Sequence, residues 1–252
     1  MARAAVLGRL TWRVAVVAAV RDETPTARTL VLEVPGWPGH RAGQHVDVRL
    51  TAPDGYSAQR SYSIASAPGG SRVELTVQRL ADGEVSPYLT QTLAVGDPLE
   101  LRGPIGGWFV WDPGSALPVL LVAGGSGVVP LMAMIRARAG AGSDTPFRLL
   151  YSLRDPGAAL YAGELAKRER AADGLAVTWV YTRTAPAGSA RPAGRISGAL
   201  VAAAGFGHGQ SPSVFVCGPT GFVETAADLL VRAGHDPRAI KTERFGPSGG
   251  QS

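Results

Sequence analysis

Residues 121–135 read LVAGGSGVVPLMAMI and sit inside an uncharged run from Pro113 to Ile135, bounded by Asp112 and Arg136. By length alone that run would suit a membrane helix, which takes roughly 20 apolar residues. Its middle argues against one. Gly124, Gly125, Ser126 and Gly127 interrupt it, Pro130 follows, and neither flank resembles an anchor, so no membrane span is expected. The stretch starts as a strand in PVLLVA, turns at the glycines and resumes as a helix through Arg136 and Arg138. Such a unit can hold a phosphate. Glycine lets the backbone come close, and the N–H groups and positive dipole at a helix start attract anions. The spacing, however, is Gly125-x-Gly127-x-x-Pro130 and not the dinucleotide fingerprint G-x-G-x-x-G. Proline in a first helical turn costs little, because its missing N–H would have had no helical partner. On these residues alone, nucleotide binding and a plain tight turn stand level.

Outward from this loop the chain has two rhythms. From residue 12 to 103 the segments RVAVVAAV, TLVLEV, QHVDVRL, RSYSI, VELTVQR and DPLELRG are short, β-branched and broken by Gly, Pro and Asp turns. They predict an antiparallel barrel or sandwich. One helix interrupts them, with Ser86 as its N-cap and Pro87 in its first turn, followed by YLTQTL. Past Trp111, strands alternate with amphipathic helices, the pattern of a parallel sheet covered on both faces. The change falls near WDPGSAL, which divides the chain into 1–112 and 113–252.

Composition narrows the chemistry. The 252 residues are 45% hydrophobic and 18% charged, enough apolar material for a core and unlike a disordered chain. The single cysteine, Cys217, excludes an internal disulfide, a four-cysteine zinc site and a cysteine-held iron–sulfur cluster within this sequence. It also fits a reducing compartment, so a cytoplasmic protein is expected. The N-terminal MARAAVLGRLTWRV lacks the apolar core of a signal peptide. His40, His45, His208 and His235 have no metal-ligand spacing, and no metal is expected. The net charge of +5 suits plain solubility, an acidic partner or anionic cofactors. No basic run points to nucleic acid, and a monomer is expected.

A second stretch, RSYSIAS at 60–66, lies in the strand-rich half. On a strand Arg60 and Tyr62 face one side, where they can grip a phosphate and stack on a flat ring, or be an ordinary half-exposed pair.

Taken in order along residues 12 to 246, these pieces resemble the ferredoxin–NADP reductase superfamily, an antiparallel flavin barrel followed by an α/β nicotinamide-nucleotide domain. RSYS resembles its flavin signature. The resemblance implies that Arg60 and Ser61 lie at the FAD, with Arg60 on the pyrophosphate, Tyr62 against the isoalloxazine and Ser63 near flavin N5. GEVSPYL looks like the second phosphate motif, which implicates Gly83, Val85 and Ser86. The loop of Gly124, Gly125, Ser126, Gly127 and Pro130 is similar to the nicotinamide-nucleotide loop, with Ser126 where Thr is common. Cys217, Gly218 and Pro219 match the strand end beside the nicotinamide; outside that context Cys217 would read as a buried thiol. ERF resembles the C-terminal segment near the flavin. There Glu243 is an acid at the flavin or a surface carboxylate, and Phe245 is a flavin cap or core filler. Ser63, Cys217 and Glu243 are the expected catalytic set, without a nucleophile, since hydride transfer needs none.

For a 2′-phosphate, Arg183 in YTRTAP is the first choice and Arg154 in YSLRDP the second, and together they lean the reading from NADH to NADPH. The implied activity passes electrons from NAD(P)H through FAD to a separate carrier, because the single cysteine leaves no cluster in the sequence. An acidic ferredoxin feeding an oxygenase is the first choice. A flavin or ferric reductase with a diffusible acceptor, and a flavin-bearing subunit of a larger complex, are the alternatives. The tail GPSGGQS is left between disorder and contact with the flavin.

Overall fold

A computed structural model describes residues 10–171, 174–206 and 210–246. His208 and residues 247–252 of the tail lie outside the described residues. The N-terminal half is a six-stranded antiparallel sheet of β1 (Trp12–Thr24), β2 (Ala27–Glu33), β3 (His45–Thr51), β4 (Ser57–Ser63), β5 (Arg72–Gln78) and β6 (Pro98–Ile105), in the order β4-β3-β6-β1-β2-β5. The outermost strands meet. Ile64, just past β4, bridges Leu75 of β5, and the Ala65 N–H donates to the Glu74 carbonyl at 2.8 Å. That closure makes a barrel. Strand alternation fills it: Ala15 and Val17 are buried while Val14 and Val16 face solvent, and Leu30, Leu32, Val46, Val48, Leu99 and Leu101 complete the same core.

The expected helix after Pro87 is a five-residue π-helical turn, Tyr88–Thr92, and Ser86 does not cap it. The Ser86 Oγ instead accepts from the Leu80 N–H at 3.0 Å, so its hydroxyl ties the preceding loop together.

The second half holds β7 (Val119–Gly124), α1 (Val128–Gly140), β8 (Phe147–Leu153), α2 (Ala162–Arg170), β9 (Leu175–Tyr181), α3 (Gly198–Ala204), β10 (Ser213–Pro219), α4 (Thr220–Arg232) and β11 (Ile240–Phe245). Its five strands are parallel, in the order β11-β10-β7-β8-β9. Leu121, Ala123, Leu149, Tyr151, Phe215 and Cys217 pack with α1 and α2 on one face, and Leu120, Val122, Leu150, Val214 and Val216 with α3 and α4 on the other. Both faces are covered along the inner strands β7 and β10, which is why those two read as unbroken apolar runs.

The same geometry accounts for the uncharged stretch. β7 is buried along its whole length, and in α1 every residue from Val128 to Ile135 is buried. The cluster around α1 includes Ala42, Ala65 and Phe109 from the barrel side, so this helix is wedged between sheet and barrel. Among the described residues no helix is long and apolar enough to cross a membrane.

Where α1 leaves that wedge, Arg136 joins the halves. Its guanidinium donates to Glu164 of α2 at 2.6 Å, to Glu74 of β5 at 2.9 Å and to the Ala65 carbonyl at 3.0 Å, and lies over the Tyr161 ring. Tyr161 in turn bonds Thr76 through its hydroxyl, and its N–H donates to Glu23 at 3.3 Å. Removing a charge whose partners are largely shielded strands them, at a cost of about 3 kcal/mol. Arg136→Ala should therefore lower the urea midpoint far more than Arg21→Ala, which removes a 47%-exposed partner of the same Glu74 and should cost about 1 kcal/mol or less.

Candidate functional site

Strand order places the site. The chain builds β7, β8 and β9 in one direction, then returns to lay β10 and β11 on the other side of β7. Open parallel sheets bind ligands beyond the carboxyl ends of their strands at such a reversal. Here a cleft of about 590 Å³ opens there, walled by Gly124, Gly125, Ser126, Arg154, Pro219, Phe222 and Phe245, and by Pro25, Thr26 and Gln78 from the barrel. Both halves of the chain therefore line it.

The glycines of the loop have separate reasons. A Cβ on Gly127 would lie 2.1 Å from the Cys217 carbonyl oxygen, and one on Gly124 would lie 2.6 Å from the Phe222 ring. A Cβ on Gly218 would meet the same ring at 2.8 Å. Gly124, Gly127 and Gly218 thus allow the loop, the end of β10 and Phe222 to close on one another. Gly125 differs: its φ is +55° and nothing lies within 4 Å of a Cβ built there. It alone of the four combines the left-handed backbone glycine tolerates with open space on the cleft side. No described side chain caps α1, and Pro130 stands in its first turn as expected; just ahead of it Gly124, Gly125 and Ser126 line the cleft.

The barrel motifs come together at the other end of the site. Arg60 donates to Glu84 at 2.8 Å, and the Tyr56 hydroxyl donates to the other Glu84 oxygen at 2.8 Å. Glu84 falls between Gly83 and Val85, so RSYS and GEVSPYL are joined by an ion pair that the sequence did not signal. With both partners about half exposed, the pair is weak and yields readily to a stronger anion. Val85 and Ser86 are buried, and Gly83 has no room for a side chain, since a Cβ would sit 2.9 Å from the Ser86 Oγ. Ser61 donates to Asp47 at 2.6 Å rather than facing the motif. Tyr62 packs against the barrel core, and burial pushes its phenol up to about 12, so it is neutral at physiological pH.

Between these ends the expected catalytic residues converge through one that was not singled out. Glu243 on β11 stands in register with Cys217 on β10, and Ser63 on β4 in register with His45 on β3. His45 Nδ1 lies 3.7 Å from Glu243 Oε1 and so links the two pairs across the interface of the halves. The other Glu243 oxygen is buried without a hydrogen-bond partner among the described residues. Burial pushes Glu243 up to about 7 and His45 down. Burial, with Glu243 adding to it, drives the Cys217 thiol well above its ordinary range, so it stays protonated and is no nucleophile.

Two expectations separate here. Arg154 lines the cleft; Arg183 is exposed and absent from its wall, its N–H donating to the Arg154 carbonyl at 2.9 Å. Phe245, 37% exposed, lines the cleft rather than filling core. Phe222, Pro25, Thr26 and Gln78 had no sequence signal, because their part in the site comes from how the halves pack.

Residues 17–110 match the family model described as Oxidoreductase FAD-binding domain, and residues 121–228 that described as Oxidoreductase NAD-binding domain. The chain is 36% identical over 217 residues to Ferredoxin–NADP reductase B of Sorangium cellulosum, covering 84% of this chain and 88% of that protein. It is 33% identical over 245 residues to the ferredoxin reductase component of 3-ketosteroid-9-alpha-monooxygenase from Mycolicibacterium smegmatis, covering 91% of this chain and 64% of that longer protein. Among solved structures, an Amycolatopsis cytochrome P450 reductase superposes with a TM-score of 0.82 at 27% identity, over 95% of this chain and 71% of that one.

The glycine geometry yields one prediction and the buried acid another. Gly127→Ala forces a methyl into the Cys217 carbonyl and should cost about 1–3 kcal/mol by calorimetry. Glu243 has a folded pKa raised from 4.5 to about 7. Its contribution to stability is then fully present below its ordinary pKa and lost as pH rises through about 7. Glu243→Gln should flatten that part of the stability–pH curve measured by urea midpoints, leaving the remaining slope to other groups.

Proposed function

Since the chain belongs to the ferredoxin–NADP reductase superfamily, of FAD- and NAD-binding oxidoreductases, we propose that it oxidises NADPH in the cleft and delivers the electrons singly to an acidic ferredoxin that serves an oxygenase. The observation that carries this reading is the cleft itself, at the strand reversal and walled by both halves. In this division residues 1–112 hold the FAD and residues 113–252 the nicotinamide nucleotide, in a cytoplasmic monomer.

The residues present fit both cofactors. Gly125 leaves backbone and space for a phosphate at the start of α1. Arg60 offers a guanidinium, Ser86 the O–H left to it while its Oγ accepts from the Leu80 N–H, and Tyr62 a neutral ring. When bound, the flavin supplies the hydride and single-electron chemistry. The chain's work is to position and to insulate. Gly125 and Ser126, in the turn that Gly124 and Gly127 allow to close, would hold the dinucleotide phosphates; Cys217, Gly218 and Pro219 would lie beside the nicotinamide, and Phe245 on the cleft wall would shield the flavin. Ser63 and Glu243 would stand beside the reacting atoms, whose approach of about 3–3.5 Å the two halves have to set.

Arg154 is the better 2′-phosphate ligand, because it alone of the two arginines lines the cleft. The acidic partner is supported by Lys241 and Arg41, which lie close enough for Arg41 to depress the Lys241 pKa, after burial. Neither has an ion pair among the described residues, and beside them Trp108 is 63% exposed. The relative from Mycolicibacterium, a monooxygenase component by name, supports the destination of the electrons.

The purified chain should retain or take up one FAD and oxidise NADPH with ferricyanide as acceptor; failure to bind FAD removes the reading. Arg154→Ala should lower kcat/KM for NADPH by about tenfold to a hundredfold, a loss of roughly 1.4–3 kcal/mol, and leave NADH little affected. Reduction of a ferredoxin should slow steeply as salt rises, while ferricyanide-linked rates change less; salt-indifferent ferredoxin rates would point to a diffusible acceptor.

A further inference from the structure

Tyr161 stands where a glycine would sit without strain. Among the described residues it alone, glycines aside, has a positive φ, +58°, and it is buried just ahead of α2. A bulky residue rarely adopts that backbone and persists there only where its surroundings over-determine it. What holds it is a closed ring of hydrogen bonds reaching into the barrel. The Tyr161 hydroxyl donates to Thr76 Oγ1 of β5, and the Tyr161 N–H donates to Glu23 Oε2 of β1 at 3.3 Å. Thr29 of β2 donates to the other Glu23 oxygen at 2.7 Å and meets Thr76 Oγ1 at 2.7 Å. Since Glu23 takes the Thr29 proton, Thr76 is the donor between the two threonines, and every hydroxyl points the same way, toward the carboxylate. Burial raises the Tyr161 pKa, so the phenol keeps the proton it contributes. Thr29, Thr76 and Tyr161 are all buried, where the bonds of such a chain strengthen one another.

Each part of the ring leads into the cleft wall. Tyr161 closes the segment between β8 and α2, of which Arg154, Asp155, Gly157 and Ala158 line the cleft. Glu23 stands just ahead of Pro25 and Thr26 in the turn between β1 and β2, and Thr76 shares β5 with Gln78; Pro25, Thr26 and Gln78 line the cleft from the barrel. Among the described residues, the hydrogen bonds from the β8–α2 segment to the barrel are both made by Tyr161.

We infer that Tyr161 is a positioning residue for the nucleotide: its ring to the barrel fixes the β8–α2 segment and so sets Arg154 at the distance from the β1–β2 turn at which a 2′-phosphate is gripped. The inference deepens the function proposed above and rests on it for the nucleotide. Tyr161 is absent from the cleft wall, so it acts on a ligand through the segment it anchors. The preference for NADPH over NADH then depends on a residue that touches neither.

The test uses Tyr161→Phe and Thr76→Val in the full chain, each deleting one hydroxyl from the ring with little change of shape. Both should raise KM for NADPH about fivefold, as loss of one hydrogen bond does, with kcat and the constants for NADH held within about twofold. FAD content should stay at the wild-type level. In an Arg154→Ala background neither change should weaken NADPH use further, because positions that act through one group do not add. Val201→Ala, which opens a cavity under α3 on the other face of the sheet, lowers stability without touching the ring and should leave the NADPH/NADH ratio as in wild type. Apart from turnover, hydrogen exchange at the Tyr161 amide should quicken about tenfold in both ring variants. An unchanged exchange rate, equal losses for NADPH and NADH, or a loss added in full to that of Arg154→Ala overturns the assignment. A wild type that fails to oxidise NADPH counts against the proposed function alone, and exchange at the Tyr161 amide then decides by itself whether the ring holds the segment.

Discussion

The Arg136 guanidinium fixes how the two halves of this protein meet. It is held by a carboxylate from each half, a barrel carbonyl and an aromatic ring, and it follows the buried stretch of the helix wedged between them. A cation so enclosed has few alternative arrangements, because any shift of one half strands a charge. The cleft inherits that constraint. Its walls belong to both halves, so its width depends on the angle that Arg136 and the Tyr161–Thr76 contact hold. Local order in the nucleotide loop and in the flavin motifs would be of little use if that angle wandered.

Much of the fold was legible because burial leaves a period in the sequence. The barrel strands alternate as Val14, Ala15, Val16 and Val17 do, outside and inside by turns. The inner parallel strands β7 and β10 do not alternate, and their unbroken apolar character is the mark of a sheet covered on both faces. The helix α1, expected to be amphipathic like the others, is buried from Val128 to Ile135, so that stretch has no solvent side to advertise. What failed locally was the helix start at Ser86, where the hydroxyl that suits an N-cap is already taken by the Leu80 N–H.

The site was less legible for a related reason. Motifs report contacts close in sequence, and the resemblance supplied roles for residues inside them. Glu84 between two motif residues, His45 on a strand edge and Phe222 beyond Pro219 acquire their importance only through distant partners. The glycine loop shows the same limit. Its spacing suggested room for a ligand, yet Gly124 and Gly127 are small because protein, not ligand, lies against them; Gly125 is the one that faces space. Likewise the sequence ranks Arg183 ahead of Arg154, each following a parallel strand, and only the path of the loop puts Arg154 alone on the cleft wall.

Phe245 closes β11 and forms part of the cleft wall. Any recombinant extension beyond that strand, whether an affinity tag, a fluorescent partner or a tethered redox module, therefore departs from the rim of the cleft. A bulky addition there competes with whatever enters, whereas a tether of suitable length would place its cargo within reach of it. What is joined to the end of β11 is therefore a choice about the reaction.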